Sequence, residues 1–203
     1  MSIYSKTFIA AAVMVSFCLP IHSQTSCDAV KSMAPDAAIT YIQRAKENHI
    51  SESCFRAAFN IFLPLPTEKK IPILLELLSA RIPTERNDGD PEFVTRIPGP
   101  DLYYPAVEAL INLGEVAEPA VLDYIASDPY GDRVGWENAV FVHLMHQTQF
   151  FNIVHAITTL KVKRAELKDT AKISRISEAI KYIDDKYCQN SLGAACRAAA
   201  ESP

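Results

Sequence analysis

The chain lacks most of the short patterns that mark a catalytic or cofactor site. Only six of its 203 residues are glycine. None of them form a GxGxxG array, so the backbone cradle that holds a dinucleotide phosphate is missing. No GxSxG turn presents a serine nucleophile. No HExxH sequence offers a zinc pair with its general base, and no CxxC spacing offers a redox dithiol or a metal pair. Spanning the hydrocarbon layer of a membrane takes about 18–20 apolar residues. The run Phe8 to Leu19 is shorter than that, and later stretches such as Ile71 to Leu78 are broken by proline or charge. Clustered basic residues are lacking too. With 20 Lys and Arg against 24 Asp and Glu, the chain carries a formal charge of −4, which argues against nucleic acid as a partner and leaves no polybasic patch for a membrane surface.

The first residues have the layout of an export signal. Lys6 gives a positive start, Phe8 to Leu19 an apolar core interrupted only by Ser16, Pro20 a break, and Ile21-His22-Ser23 a small-residue exit. These are the three parts of a secretory signal peptide. A lipidated Cys18 fits less well, because bulky Phe17 precedes it. Residues 1–23 are therefore expected to be a signal peptide cleaved after Ser23, and residues 24–203 a single domain. The domain would keep 19 basic and 24 acidic side chains, a net charge of −5, and would work in the periplasm or outside the cell.

Beyond the signal stand four cysteines, Cys27, Cys54, Cys188 and Cys196. An even number in an exported chain reads as two disulfides, for which three pairings exist. Cys27–Cys54 with Cys188–Cys196 is preferred, since each bridge then closes a local loop at one end of the chain. Such pairing leaves no free thiolate for catalysis.

Helical periodicity runs through almost every segment, and no sustained alternation argues for a strand. Ile173, Ile176, Ile180, Ile183 and Tyr187 recur at three- and four-residue steps among charged residues, with Asp169 or Thr170 placed to cap them. Upstream, helices are expected in pairs. Ser51 caps a run from Glu52 to Leu63 that Pro64 ends, and a second helix follows Thr67. The next pair spans 102–127 with Gly114 between its members, and a third runs from about Asp132 to Gln147 and from Thr148 to about Val162. Pro72 and Pro119 are both expected in the first turn of a second helix, where a missing N–H costs little. Arg81 to Asp101, with four prolines and two glycines, reads as a long loop, and the tail from Ala198 to Pro203 as disordered.

The segment YYPAVEALINLGEVAEPAVLDYIASDP resembles a HEAT-like repeat of the bacterial PBS-lyase type. The features that carry the resemblance are Ala106, Ala109, Leu113-Gly114, Pro119 and Asp128-Pro129. It is good over 102–129, partial over 52–80, where Leu63-Pro64 replaces Leu-Gly, and weak over 132–162. It implies an all-α fold, a short α-solenoid of stacked helical hairpins with terminal disulfides, in which each apolar face is covered by its neighbour. It says little about function, because such repeats serve many tasks. A metal-hydroxylase member would carry His-Glu motifs on successive repeats, and no His-Glu dipeptide occurs here.

Two groups of residues remain as candidates. His143 and His146 share a helix face, and with His155 on the following helix they could hold a zinc with one open position. No carboxylate stands at ligand spacing beside them, so ordinary polar packing is the plainer reading and no cofactor is expected. The second group is Tyr103, Tyr104, Arg133 and Trp136, residue types enriched where proteins bind other proteins, although a tryptophan at a helix start more often anchors packing and a tyrosine pair on a first helix is mostly core. The leading expectation is a non-catalytic module that binds a protein or peptide, or serves as a scaffold, outside the cytoplasm. The alternative is a histidine-ligated, metal-dependent enzyme or an accessory factor to one.

Overall fold

A computed structural model describes residues 27–83, 103–146, 153–188 and 193–201. The expected signal peptide and most of the proline-rich loop lie outside these residues. The described residues form an all-helical structure without strands: α1 (Asp28–Lys31), α2 (Pro35–Gln43), α3 (Glu52–Phe59), α4 (Thr67–Glu76), α5 (Pro105–Leu113), α6 (Glu118–Ser127), α7 (Arg133–His146), α8 (Ile153–Glu166), α9 (Thr170–Tyr187) and α10 (Gly193–Glu201).

Local chemistry accounts for most of the helix ends. The Ser51 hydroxyl accepts the Cys54 amide at 3.4 Å and caps α3. The Asp169 carboxylate accepts the amides of Ala171 and Lys172 at 2.8 and 3.3 Å and caps α9, satisfying donors that have no partner within the helix. Pro35, Pro105 and Pro119 lie in the first turns of α2, α5 and α6. Gly114 ends α5 at φ 60°, ψ −141°, outside the left-handed helical region but open to a residue without a β-carbon. A turn of 3-10 helix, Gly114–Val116, then leads into α6. The left-handed helical cap falls instead on Asp128, at φ 40° and ψ 62°, just beyond α6.

Several boundaries differ from expectation. The helix opened by Ser51 stops at Phe59 rather than Leu63, and Phe62 is held by a tighter bond from its amide to the Phe59 carbonyl at 3.0 Å. Because α4 begins at Thr67, Pro72 lies inside that helix and not in its first turn, so it does not match Pro119 in position. The tail expected to be disordered carries α10, which packs against α8 and α9. The last helix pair also differs. Helix α8 lies chiefly against α9, which runs along α6 as well, whereas its packing on α7 is slight.

One apolar core runs through all of these helices. Phe55, Phe62, Leu74, Leu78, Leu110, Ile125, Trp136, Leu144, Ile157, Leu160, Ile176 and Ile183 are buried within it. Helix α6 is central, with α7 on one side and α9 on another. It buries Val121, Leu122, Tyr124, Ile125 and Ala126 on more than one face. The cysteines meet at the two ends. Cys27 and Cys54 lie at disulfide distance with Cα atoms 4.9 Å apart, and Cys188 and Cys196 with Cα atoms 5.5 Å apart.

Two outcomes follow from this arrangement. Replacing Cys27 and Cys54 by serine should lower stability by about 3–4 kcal/mol on the chain-entropy account, read as a lower urea midpoint at unchanged helical content. Gly114→Ala forces a β-carbon into positive φ and should cost about 1–2 kcal/mol, measured by the same unfolding curve.

Candidate functional site

The described residues at the two ends of the proline-rich loop come together. The Ile82 amide donates to the Tyr103 carbonyl at 2.8 Å, which sets Arg81 beside Tyr103 and Tyr104. Helix α7 contributes Glu137, Asn138 and Phe141 to the same place, and α9 contributes Tyr182, Lys186 and Tyr187. Together they line an open cleft of about 260 Å³. Clefts that enclose whole small molecules usually run to about 300–1,000 Å³. This one is slightly smaller and open to solvent.

Aromatic rings and cations make up most of its lining. The Arg81 guanidinium lies 5.2 Å from the Tyr103 ring centre. Lys186 Nζ lies 5.0 Å from the Tyr182 ring and 5.6 Å from the Tyr187 ring. Lys186 also donates to the Tyr182 hydroxyl at 2.6 Å, and that hydroxyl donates to Glu137 Oε2 at 3.2 Å. Burial, reinforced by the Glu137 carboxylate, pushes the Tyr182 phenol well above its ordinary range, and burial raises Tyr187 as well. Both phenols therefore stay protonated at neutral pH and cannot act as bases. Asn138 serves the scaffold beneath: its buried amide donates to the Leu78 carbonyl at 2.7 Å, satisfying backbone just past α4. No serine, threonine, cysteine or histidine stands among the described residues lining the cleft, so they include no nucleophile–base pair. The described lining offers stacking, apolar contact and hydrogen bonding.

The structure divides the candidate interaction residues. Tyr103 and Tyr104 are half-buried and line the cleft. Arg133 is exposed just beside it, bonded to Glu137 at 2.8 Å and to Glu178. Trp136 corrects the expectation of a contact surface. It is 1% exposed and donates its indole N–H to the Ile125 carbonyl at 3.1 Å. Its ring packs edge-on to Tyr182, with the Arg133 guanidinium 4.4 Å from its centre. A buried indole needs such an acceptor, and the last turn of α6 supplies one.

The three histidines do not converge. His155 is exposed on α8. The His143 and His146 side chains are 0% and 1% exposed and both turn to Glu118 at the start of α6. Nδ1 of His143 lies 2.5 Å from Glu118 Oε1, and Nδ1 of His146 lies 2.6 Å from Oε2. The opposite ring nitrogens point to backbone carbonyls, His143 Nε2 to Ala156 at 3.0 Å and His146 Nε2 to Leu110 at 2.9 Å. Among the described residues no group of three or more His, Cys, Asp or Glu is placed to hold a metal ion.

Glu118 and six lining residues of the cleft, Arg81, Glu137, Asn138, Phe141, Tyr182 and Lys186, were not evident from the sequence. Glu118 lies 25 and 28 positions before its two histidines, a separation that no helical period connects. Tyr182 and Lys186 had a usable signal, an aromatic and a cation four apart beside Tyr187 on one helix. No family model matches the chain, and no curated protein or solved structure matches it either.

With a single tryptophan in the chain, the burial of Trp136 is directly measurable. Its emission should be blue-shifted and resist iodide quenching in the native protein, with both features lost in urea. Native emission quenched as strongly as that of free tryptophan would contradict this placement.

Proposed function

We propose that this chain is an exported, non-catalytic module of HEAT-like helical hairpins, and that the tyrosine-lined cleft takes the anchoring side chains of a protein or peptide partner. The observation that carries the reading is the cleft itself. Tyr103, Tyr104, Tyr182 and Tyr187 surround an opening sized for side chains, in the residue type that gives most contact energy for least conformational entropy. Among the described lining residues the cations Arg81 and Lys186 outnumber the carboxylate of Glu137, which favours a partner segment carrying a carboxylate beside an apolar or aromatic residue. Export draws support from two cysteine pairs at bonding distance near the ends of the described residues. Among those residues no helix is long and apolar enough to cross a membrane. The HEAT-like reading rests on the 102–129 pattern and on neighbouring helices that share one core.

Selection from a random peptide display library against the native, disulfide-bonded protein tests the proposal. Enriched peptides should share an acidic residue next to an aromatic or aliphatic one. Lys186→Glu and Phe141→Ala should each weaken them at least tenfold, while Arg56→Glu, on a separate groove between α3 and α5, should leave them unchanged. Peptides that bind all three variants like the parent, or a selection that enriches none, would overturn it.

A further inference from the structure

The Glu118, His143 and His146 cluster has a proton inventory that its geometry fixes. A backbone carbonyl only accepts hydrogen bonds, so the Nε2 atoms facing Ala156 and Leu110 must each carry a hydrogen. Each Nδ1 then faces a separate oxygen of one carboxylate, at 2.5 and 2.6 Å. Two lone pairs that close repel, so each of these contacts also holds a proton. The cluster as a whole therefore holds two exchangeable protons between its nitrogens and oxygens. Burial acts to raise the Glu118 carboxyl, but the hydrogen bonds and positive charges of the two imidazoles outweigh it and pull the group down to about 2. Glu118 is therefore held ionised, and the two protons lie in its contacts with the imidazoles.

We propose that Glu118, His143 and His146 form a two-proton latch that ties α6 to α7 and, through the outer ring nitrogens, to α5 and α8, and that loosens as the medium becomes alkaline. The other charged and titratable side chains on the surrounding elements include Lys161, Arg164 and Glu166 on α8. Glu108 on α5, Glu115 in the 3-10 turn and His155 on α8 are exposed. Lys163 on α8 pairs with the exposed Asp123 of α6 at 2.8 Å. On α9, Arg175 and Glu178 engage each other and Asp128 and Arg133. The charges that hold Glu118 ionised are those of the two histidines.

The sign follows from proton linkage. A histidine in an unfolded chain loses its proton near about pH 6.5. Above that, the latched state binds up to two protons more than the unfolded chain. Each extra proton lowers the folded-to-unfolded ratio about tenfold per pH unit. At the acid end the order reverses. Glu118, held down to about 2 from an ordinary 4.5, contributes stability that is present above 4.5 and lost as pH falls through about 2. Stability should therefore peak in the mildly acidic range.

Urea unfolding of the full chain with both disulfides intact, from pH 6 to 9, tests the latch together with Glu118→Gln and His155→Gln. A glutamine amide offers one acceptor and one donor, so one of the two histidines can stay neutral. Glu118→Gln should then show about half the alkaline loss per pH unit, while His155→Gln should match the parent. Nitrogen-15 spectra of the parent near pH 6.5 should show His143 and His146 protonated at both ring nitrogens, which decides the matter even if the Gln variant fails to fold. Equal alkaline slopes in parent and Glu118→Gln, rings carrying a single proton each, or a stoichiometric metal ion in native mass spectra would overturn the latch.

Discussion

Most of the described helices are too short to hold together in water alone, and the need to cover their apolar faces organises the rest. The demand is greatest on α6. Its buried positions Val121, Leu122, Tyr124, Ile125 and Ala126 are almost consecutive, so no single neighbour can cover them. Helix α7 takes one side and α9 returns to take another. Some polar groups toward its ends are met from within the fold rather than by water. Two solutions are visible at its termini. The Ile125 carbonyl accepts the Trp136 indole, and Glu118 receives two imidazoles. Burial of α6 and the polar contacts that make the burial tolerable are parts of the same constraint.

Helix α7 then does two separate jobs. Near its start and middle it presents Glu137 and Phe141 to the open cleft, with Asn138 holding the backbone just beyond α4 from below. Toward its end it presents His143 and His146 to the closed interior. The Arg133, Glu137, Glu178, Arg175 and Asp128 pairs link the same helix to α9 and to the end of α6 across the surface. Such exposed pairs add little energy singly. Their role here is positional: with Tyr182 bonded to Glu137 and Arg133 lying over Trp136, they set the side chains that border the cleft.

What could be read from the sequence was whatever is governed by neighbours along the chain. The α9 stripe of Ile176, Ile180 and Ile183 and the Asp169 cap both depend on residues within one or two turns, and both are found as expected. The turn at Gly114 was legible for the same reason, although its backbone adopts an extended ψ that only glycine reaches comfortably. Features set across the fold were not legible. Pro72 was placed in a first turn because its surroundings imitate those of Pro119, but the start of α4 at Thr67 puts it inside the helix. The helical end of the chain reads as loose until α8 and α9 are present to pack it and Cys188 to hold Cys196. Whether Trp136 serves contact or packing could not be read locally, since exposure is a property of the assembled helices and not of its neighbours in YGDRVGWENA. Glu118 drew no notice at all, because the turn that brings it to α7 joins residues 25 and 28 positions apart.

The hydrogen bond from Ile82 to Tyr103 has an architectural consequence of its own. It clamps the chain on both sides of a twenty-residue excursion, so the register of α4 against α5 is decided before the excursion begins and after it ends. One backbone contact thus joins residues far apart in sequence, and on closure entropy alone doubling the length between them would cost only about 0.6 kcal/mol.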